Sequence, residues 1–418
     1  MARSSVVARR RAPTRAMSRP DLLQLLAARV AEREHAGLLR RLRAVEHAHG
    51  TRLVVNGREL LNFSSNDYLG LARHPEVIAA LRDAANEGGV GAAASHLICG
   101  HHREHAALEE ELADWTRRER ALLFSSGWAA NLGALQTLLP RDGLCVQDRL
   151  NHASLLDAAK LAGCALKRYP HADAQGAARQ LASARDMPAL LASDGVFSMD
   201  GDIAPLRELA SLCARERATL MIDDAHGLGV LGSEGAGSAA EAGLPQEQVP
   251  VLMATLGKAL GAAGAFVAGS NALIEGLTQF ARPYVYTTAM PPALAAAAHA
   301  AVRIARAATE RREKLSELIT RFRTGAQQLG LPLTDSRTPI QPILLGDAQT
   351  TMYAAAELEK AGVLVGAIRP PSVPAGSARL RITLSAVHQD ADVDRLLDAL
   401  HTAAPRAHER AAKASPPL

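Results

Sequence analysis

The sequence predicts an α/β fold, in which a large, mostly parallel sheet has helices on both faces and a smaller α+β domain follows it. Short apolar runs of strand length alternate with helical patterns from about 66 to 269, which is typical of a parallel sheet. The pair Pro291–Pro292 then opens a long Ala-rich helical stretch. A chain of 418 residues is also too long for one hydrophobic core.

The N-terminal region is predicted to form an arm in front of the large sheet. Residues 1–16 hold five Arg and no acid, which fits an Arg-rich leader, a disordered extension or an upstream start read in place of Met17. We favour the extension or the upstream start, because the segment has no convincing apolar face. Apolar residues at helical spacing predict an amphipathic helix over 20–47, and Asn56–Gly57 predicts a hairpin turn.

Strands and helices then follow in a regular order. The predicted strands are Arg52–Val55, Leu60–Phe63, Ala121–Ser125, Leu144–Gln147, Leu190–Ser193, Thr219–Ile222, Val251–Ala254, Gly264–Ala268, Gln341–Leu345, Val363–Ala367 and Arg379–Leu384. The predicted helices are Ala106–Arg118, Ala129–Leu139, Ala293–Gln328, Met352–Ala361 and Ala391–Ala403. The predicted divisions are an N-terminal arm over 1–60, a large domain over 61–297, a small domain over 298–405 and a polar, disordered tail over 406–418.

Composition excludes two classes of partner. No apolar run approaches the ~20 residues that span a bilayer, so we expect no membrane association. The net charge is +4, but no basic face with aromatic residues indicates nucleic-acid binding. The cysteines have no metal-ligand spacing, so we expect no metal site and a location in the reducing cytoplasm. They are Cys99, Cys145, Cys164 and Cys213.

One lysine stands apart from the others. An apolar strand at Val251–Ala254 leads into a turn of small residues that holds Lys258. An apolar setting disfavours the ammonium form, and the neutral amine can then form a Schiff base with a carbonyl group. A lysine that extends to the surface beside a loop explains this segment equally well, so the neighbouring strand ends must decide between the two.

Polar residues follow several other predicted strands, and the carboxyl ends of parallel strands are where such sheets bind ligands. Asp223 ends one strand, with His226 three residues further on. The Asp223 carboxylate could pair with the protonated ring nitrogen of a pyridine cofactor. The alternative is that this segment simply caps the end of the strand. Gly127 begins a helix whose free N–H groups and dipole suit a phosphate, although a Ser-Gly pair at a helix start is more often a simple cap. His152 and Ser198 stand at further turns, where contact with a planar ring competes with capping and ordinary loop roles.

Taken in order, these segments resemble the α-oxoamine synthase family of pyridoxal-phosphate enzymes. The resemblance covers about 40–401. The motifs that carry it are Asn62-Phe-Ser-Ser-Asn-Asp-Tyr-Leu-Gly70, Asp148-Arg-Leu-Asn-His152, Asp194-Gly-Val-Phe-Ser-Met-Asp-Gly-Asp202, Asp223-Asp-Ala-His226 and Thr255-Leu-Gly-Lys258. It implies a fold-type I homodimer with pyridoxal 5'-phosphate in active sites shared by the two subunits. Such enzymes join an amino acid to an acyl thioester with loss of carbon dioxide.

The resemblance also implies a role for each matching residue. It makes Lys258 the Schiff-base lysine, which removes the Cα proton of the amino acid, and Asp223 the partner of the pyridinium. It makes His152 the residue that stacks on the ring and polarises the thioester carbonyl. The implied cofactor contacts are His226 and Ser198 at the ring oxygen and Gly127, Trp128 and Thr255 at the phosphate, with Thr287 and Thr288 from the other subunit. The implied substrate contacts are Arg369 at the amino-acid carboxylate, Arg40, Asn66, His152 and Ser372.

Within the family, the stretch Ala367-Ile-Arg-Pro-Pro-Ser-Val-Pro374 resembles the branch that condenses L-alanine with a pimeloyl thioester in biotin biosynthesis. The acyl carrier of that branch is coenzyme A or a carrier protein. The alternative is a sister enzyme that uses glycine or serine with another acyl thioester. The sequence departs from the family pattern at two points. Gly91–Ser95 holds three alanines where the family is commonly glycine-rich, which narrows the backbone options, and Ser372 replaces a threonine but keeps the hydroxyl.

Overall fold

The computed structural model describes residues 19–414, with side chains through 403. The predictions for 1–18 and 415–418 lie outside the described residues. Contacts between residues divide the chain into two units, Met1–Arg43 and Ala44–Leu418. Each unit is therefore described by itself.

Helix α1 of the first unit spans Leu22–His35. Asp21 caps it by accepting a hydrogen bond from the Leu23 N–H at 2.8 Å. Gly37 follows the helix with a φ of +65°, and a left-handed glycine at this position is a common way to end a helix. The helix is therefore shorter than the predicted 20–47.

The other helices and strands belong to the second unit. Its helices are α2 (Pro75–Gly88), α3 (Arg103–Trp115), α4 (Gly127–Leu138), α5 (Ala153–Ala162), α6 (Ala174–Ala182), α7 (Leu206–Glu216), α8 (Ser238–Glu241), α9 (Asn271–Phe280), α10 (Arg282–Val285), α11 (Pro292–Ala307), α12 (Thr309–Gln328), α13 (Ala348–Lys360) and α14 (Asp390–Ala414). Its strands are β1 (His47–His49), β2 (Arg52–Val55), β3 (Arg58–Asn62), β4 (Arg120–Phe124), β5 (Leu144–Asp148), β6 (Ala165–Tyr169), β7 (Ala189–Asp194), β8 (Thr219–Asp223), β9 (Val251–Thr255), β10 (Ala265–Gly269), β11 (Ile340–Gly346), β12 (Val363–Leu364), β13 (Gly366–Ile368) and β14 (Ala378–Thr383).

Within the described part of the chain, seven strands form the central sheet in the order β4-β10-β9-β8-β7-β5-β6. Strands β6, β5, β7, β8 and β9 run parallel, whereas β10 is antiparallel to both of its neighbours. The carboxyl ends of the parallel strands and of β4 therefore meet at one edge of the sheet. The register places Asp194 at the end of β7 opposite Asp223 at the end of β8.

Apolar residues fill both faces of this sheet. Along β7, Leu190 and Ala192 join one buried cluster and Leu191 joins another, as the alternation of side chains along a strand requires. All three side chains are at most 2% exposed. A strand that is covered on both faces needs no polar side chains, which explains why the parallel strands read as continuous apolar runs.

Two smaller sheets complete the second unit. Strands β11, β14 and β13 form an antiparallel sheet, and β12 pairs in parallel with β3 beside the β2–β3 hairpin. The predicted hairpin is confirmed, with Val55 opposite Arg58. The predicted strand Val363–Ala367 is instead two short strands, because the chain leaves one sheet at Val365 and enters the other.

Two further elements differ from the sequence prediction. The predicted helix Ala293–Gln328 is broken at Ala308, where ψ is 47°. The Arg312 guanidinium stabilises the break by donating a hydrogen bond to the Ala305 carbonyl at 2.6 Å. Strand β6 at the edge of the central sheet was missed, because a Lys–Arg pair interrupts its apolar pattern.

The C-terminal helix runs farther than predicted. Helix α14 continues to Ala414, past the predicted end at Ala403 and into the tail that was predicted to be disordered. Residues 406–414 are rich in Ala and Arg, which have high helix propensity. The composition of the tail therefore favours continuation of the helix.

Two predictions concern the chain as a whole. The division of the second unit into a large domain over 61–297 and a small domain over 298–405 stays a prediction. Among residues 19–414, none of the helices combines the length and the apolar character needed to cross a bilayer.

Candidate active site

Polar residues converge where the parallel strands of the central sheet end. Strands β5, β7, β8 and β9 end at Asp148, Asp194, Asp223 and Thr255, and Lys258 follows three residues later. A cavity of about 200 Å³ lies at this edge. Its walls are formed by Gly127, Trp128, Asn131, His152, Ser154, Asp194, Ser198, Asp223, Ala225, His226, Met253, Thr255 and Lys258.

Most of the residues that the sequence singled out lie in this wall. The structure brings together Gly127, Trp128, His152, Ser198, Asp223, His226, Thr255 and Lys258. Asn66 is not in the wall but is connected to it through hydrogen bonds described below. The remaining predicted contacts do not line the cavity of the same chain: Thr287, Thr288, Arg369 and Ser372. Arg40 belongs to the first unit, Met1–Arg43.

Lys258 has the environment that the sequence predicted. Burial disfavours its ammonium form and lowers the pKa of the amine to about 8, although the nearby carboxylates of Asp223 and Asp194 oppose this shift. Its Nζ lies 2.8 Å from Nε2 of His226. The neutral form, which is the nucleophile and the base, is therefore far more populated at neutral pH than in an exposed lysine.

A chain of hydrogen bonds leads from Lys258 away from the cavity. His226 is buried, and its Nδ1 lies 2.7 Å from the hydroxyl of Tyr68. That hydroxyl lies 3.2 Å from Oδ1 of Asn66. The Arg381 guanidinium donates to the same Asn66 oxygen at 3.3 Å. Asn66, which the sequence predicted to contact substrate, is thus also held in place by hydrogen bonds with the buried side chains of Tyr68 and Arg381.

Asp223 is held from two sides at the end of β8. Its Oδ2 accepts a hydrogen bond from the Asn131 amide at 2.7 Å, and its Oδ1 accepts one from the Ala225 N–H at 3.1 Å. The same Asn131 amide donates to the Ser154 hydroxyl at 2.8 Å. The Asp223 side chain is 5% exposed. A buried carboxylate fixed in this way can pair with a protonated pyridine nitrogen.

His152 is positioned by the start of α5 and by β7. Its backbone N–H donates to the Asp194 carboxylate at 3.2 Å, and its Nδ1 lies 2.7 Å from the Ser154 hydroxyl. Burial lowers the pKa of the imidazole, against the pull of Asp223. The Trp128 ring meets it edge-on, with the ring centroids 6.2 Å apart. A neutral, fixed imidazole is therefore available in the cavity wall.

The first turn of α4 forms another part of the wall. Ser126 caps the helix by accepting a hydrogen bond from the Ala129 N–H at 3.2 Å. The N–H groups of Gly127 and Trp128 have no partners within the helix, because they belong to its first turn. Together with the helix dipole they suit an anion. The Thr255 hydroxyl already donates to a backbone carbonyl at 3.0 Å, so a contact with that anion requires the hydroxyl to rotate.

Sequence reasoning missed five residues of the site. They are Tyr68, Asn131, Ser154, Asp194 and Arg381. Two signals were present, because Tyr68 and Asp194 lie inside motifs that were recognised without a role for either. Asn131 lies one helical turn after Gly127, where i and i+4 share a face, so it could have been placed in the wall.

The comparisons define the class of protein. A family model described as aminotransferase class I and II matches residues 58–400. The chain therefore belongs to this family.

Relatives with assigned names make the grouping narrower. An 8-amino-7-oxononanoate synthase of Thioalkalivibrio sulfidiphilus is 57% identical over 376 residues, which cover 90% of this chain and 96% of that protein. The protein of that name from Xylella fastidiosa strain M12 is 55% identical over 385 residues, covering 92% and 96%. The one from Stenotrophomonas maltophilia is 54% identical over 402 residues, covering 96% and 98%. The resemblance predicted from the sequence motifs is confirmed.

Solved structures confirm the predicted fold. A serine palmitoyltransferase from S. paucimobilis, with a bound pyridoxal phosphate–myriocin adduct, has a TM-score of 0.89 at 28% identity and covers 93% of this chain and 100% of that one. An 8-amino-7-oxononanoate synthase from Francisella tularensis has a TM-score of 0.72 at 28% identity and covers 84% and 99%. The chain has the fold-type I architecture of pyridoxal-phosphate enzymes.

The side chains of the cavity fit pyridoxal phosphate. A buried lysine with a lowered pKa, a fixed buried carboxylate and the first turn of a helix are the groups that its aldehyde, ring nitrogen and phosphate require. In this chain they are Lys258, Asp223 and the start of α4. Pyridoxal 5'-phosphate is the cofactor of this family.

Proposed function

We propose that this chain joins L-alanine to a pimeloyl thioester and forms 8-amino-7-oxononanoate, carbon dioxide and the free thiol, a step of biotin biosynthesis. One observation carries the proposal: a single cavity holds the buried Lys258, the fixed Asp223 and the first turn of α4. The choice of substrates is supported by relatives named 8-amino-7-oxononanoate synthase, which are 54% to 57% identical over nearly the whole chain.

The bound cofactor supplies an electron sink for the negative charge that forms at the amino-acid Cα. The Asp223 carboxylate would pair with the protonated ring nitrogen. The N–H groups of Gly127 and Trp128 and the hydroxyl of Thr255 would hold the phosphate. Ser198 and His226 would contact the ring oxygen. Together these residues would fix the orientation of the ring.

Lys258 carries the cofactor and moves a proton. Its amine has a pKa lowered to about 8 by burial, so it can accept the Cα proton of alanine near neutral pH and return a proton later. His226, 2.8 Å from Nζ, orients the amine for both transfers. His152 stacks on the ring and polarises the thioester carbonyl.

Substrate contacts complete the proposed site. The planar guanidinium of Arg369 holds the alanine carboxylate, and Arg40, Asn66 and Ser372 contact the substrates. Thr287 and Thr288 contact the phosphate bound by a second copy of the chain, which is consistent with their absence from the wall of the cavity in their own chain.

The active form is a homodimer with shared sites. Exposed aromatic side chains support this, because Trp128 in the wall of the cavity is 45% exposed and Tyr286, next to Thr287, is 71% exposed. Apolar patches of this kind mark surfaces that bind another protein. We place the activity in the cytoplasm, whose reducing conditions suit the four free cysteines.

A second candidate is a sister reaction with glycine or serine and another acyl thioester. It is favoured by the backbone likeness to serine palmitoyltransferase, whose TM-score is 0.89. The identity to that protein is 28%, whereas the 8-amino-7-oxononanoate synthases of Thioalkalivibrio sulfidiphilus, Xylella fastidiosa and Stenotrophomonas maltophilia are 54% to 57% identical, so alanine stays the first choice.

The experiment is a thiol-release assay on the purified holoprotein. We expect thiol from pimeloyl-CoA only when L-alanine is also present, with much lower rates for glycine and L-serine. The visible absorbance band of the lysine-bound cofactor should shift on addition of L-alanine alone. A response confined to glycine or serine would move the chain to the sister reaction.

A matched pair of variants tests the role of Lys258. Lys258→Arg keeps the positive charge but removes the amine, so turnover should fall at least about 100-fold and the absorbance band should be lost. Lys160→Arg on the exposed side of α5 is the control and should leave both unchanged. Turnover of Lys258→Arg close to that of the unaltered protein would contradict the assignment.

A further inference from the structure

Three histidines gather outside the active site, beside the start of α3. His96 begins a π-helical turn over His96–Gly100, His101 follows that turn, and His105 lies in the first turn of α3. One ring nitrogen of each lies within 4.8 Å of those of the other two. His105 is fully buried, His96 is 9% exposed, and the His101 side chain is 33% exposed.

Two of these nitrogens already stand at the separation of metal ligands. Nδ1 of His96 and Nδ1 of His101 are 2.9 Å apart. Two nitrogens that bind one tetrahedral Zn²⁺ at ~2.05 Å are about 3.3 Å apart. Two ring nitrogens can face each other at this distance only if a proton lies between them, and a cation can take the place of that proton.

The second ring nitrogen of His105 has the kind of acceptor that metal-bound histidines use. Nε2 of His105 lies 2.8 Å from the Met290 carbonyl, to which it donates. A histidine that binds a metal usually donates its second ring N–H to a carbonyl or a carboxylate. This arrangement leaves Nδ1 of His105 as the nitrogen that can bind an ion. In His101 the Nδ1 already faces that of His96, and a carboxylate oxygen of Glu109 lies 3.9 Å from Nε2, beyond hydrogen-bond distance.

His105 requires one exchange of partner. Its Nδ1 accepts a hydrogen bond from the His102 N–H at 2.9 Å, and a cation would replace that donor. The partly exposed ring of His101 can move by the ångström or so that the third ligand requires, because it stands at the end of the turn.

We propose that His96, His101 and His105 bind a divalent transition-metal ion, with Zn²⁺ the favoured ion and water in the fourth position. Imidazole nitrogens suit Zn²⁺, and three such ligands with one open position form a common zinc geometry. The sequence carries the ligands as H-x4-H-x3-H. The cysteines on which the expectation of no metal site rested take no part.

The site ties two segments together. The Met290 carbonyl contacts His105, and Ser95 next to His96 pairs with Thr288 in an isolated bridge. A bound ion therefore anchors the segment that holds Thr287 and Thr288. The role that follows is structural, since the ligands lie outside the wall of the active-site cavity.

The experiment uses untagged holoprotein that has been stripped with a chelator and titrated with Co²⁺ and then with Zn²⁺. We expect the visible bands of four-coordinate Co²⁺, their loss on addition of Zn²⁺, and one Zn²⁺ per chain by elemental analysis. His101→Gln should lower the affinity for Zn²⁺ at least about 100-fold, since even residues behind the ligands contribute ~10- to 100-fold. This variant changes the most exposed of the three rings, so it should fold.

Two further variants separate ligands from neighbours. Glu109→Gln removes the carboxylate that lies 3.9 Å from Nε2 of His101 and should lower the affinity about 10-fold. His102→Gln is the control, because it alters the adjacent histidine that is outside the cluster, and it should bind Zn²⁺ as the unaltered protein does. Absence of the Co²⁺ bands, or equal Zn²⁺ affinity in His101→Gln and the unaltered protein, would overturn the proposal and leave a hydrogen-bonded cluster of imidazoles.

Discussion

A hydrogen bond donated by the Lys258 ammonium to Nε2 of His226, 2.8 Å away, would set the direction of the hydrogen bonds that follow it. Burial holds the pKa of His226 well below its usual range, so the ring carries one proton. When Nε2 accepts from the amine, that proton is on Nδ1 and is donated to the Tyr68 oxygen. Burial raises the pKa of Tyr68 to about 12, so its own proton stays and is donated to Asn66. From Lys258 to Asn66, each donor then points away from the cavity, and the Arg381 guanidinium donates to the same Asn66 oxygen from the other side.

Tyr68→Phe tests this positioning role. The variant leaves the Nδ1–H of His226 buried without an acceptor, which removes the preference for the correct tautomer. We expect turnover to fall about 10-fold, the effect of one buried hydrogen bond of roughly 1.4 kcal/mol, with cofactor content unchanged. The pH at which the band of the lysine-bound cofactor titrates should also move, which loss of stability alone does not cause.

Tyr169→Phe is the matched control for Tyr68→Phe. Tyr169 is 1% exposed and lies on β6, outside the wall of the cavity. It should leave both the turnover and the titration of the band unchanged. An unaltered rate and titration in Tyr68→Phe would show that the tautomer of His226 is fixed in another way.

The residues that sequence reasoning found and missed differ in a physical way. Asp223, His226 and Lys258 follow strand ends, and a parallel sheet brings its strand ends together whatever the rest of the chain does. Asn131 acts through an atom of Asp223, which lies 92 positions away in the chain. Local pattern contains no information about such a pair, because it depends on the relative placement of α4 and β8.

At the scale of an element, the segment before α3 contains a strained residue. Ala93 has a φ of +60°, within the stretch where the family is commonly glycine-rich. An L-residue in this conformation costs roughly 1–2 kcal/mol, and glycine avoids that cost while losing about 0.5–1 kcal/mol of chain entropy. The neighbouring Ala94 carbonyl accepts a hydrogen bond from the Ala289 N–H at 2.9 Å, which holds the strained segment in place.

Ala93→Gly should therefore stabilise the protein. We expect the free energy of unfolding to rise by about 0.5–1 kcal/mol, measured by denaturant unfolding of the holoprotein. Ala92→Gly is the control: Ala92 is 4% exposed and does not have a positive φ, so the change should destabilise by about 1–2 kcal/mol. A loss of stability in Ala93→Gly comparable to that of Ala92→Gly would show that the left-handed backbone carries no strain.

Elements were predictable where hydrophobic period and length agree. Strands β7, β8 and β9 are buried on both faces, so their apolar runs stand out between helices. The break between α11 and α12 has no such signal, since the chain on both sides of Ala308 has helical periodicity and the Arg312 side chain caps α11 from only seven residues further on. The split of β12 from β13 also has no signal in the sequence, because the residue pattern of a strand is the same whichever sheet the strand joins.

At the scale of the whole molecule, one histidine connects the chain segments that follow three strands of the central sheet. His171 follows β6; its Nδ1 lies 3.1 Å from Asp148 at the end of β5, and its Nε2 lies 2.8 Å from Asp202 after β7. Burial alone would lower the pKa of His171, but the hydrogen bonds and charges of Asp148 and Asp202 outweigh it and raise the pKa to about 10. The folded state therefore keeps a proton that the unfolded chain releases near pH 6.5.

This difference makes stability fall as the solution becomes more alkaline. Above pH 6.5 the folded state binds more protons than the unfolded chain, so the contribution of His171 is complete below that pH and is lost as pH rises toward 10. We expect the unfolding temperature of the holoprotein to fall by several degrees between pH 7 and pH 9. His171→Gln should lose most of that dependence while being less stable at pH 7, because it leaves two carboxylates without their cation.

The control is His299→Gln, which removes a histidine that lies 3.8 Å from Glu111 and has the same side-chain exposure of 29% as His171. This variant should keep the pH dependence. If His171→Gln and the unaltered protein lose stability in parallel between pH 7 and pH 9, the alkaline sensitivity belongs to other groups and His171 is held by packing.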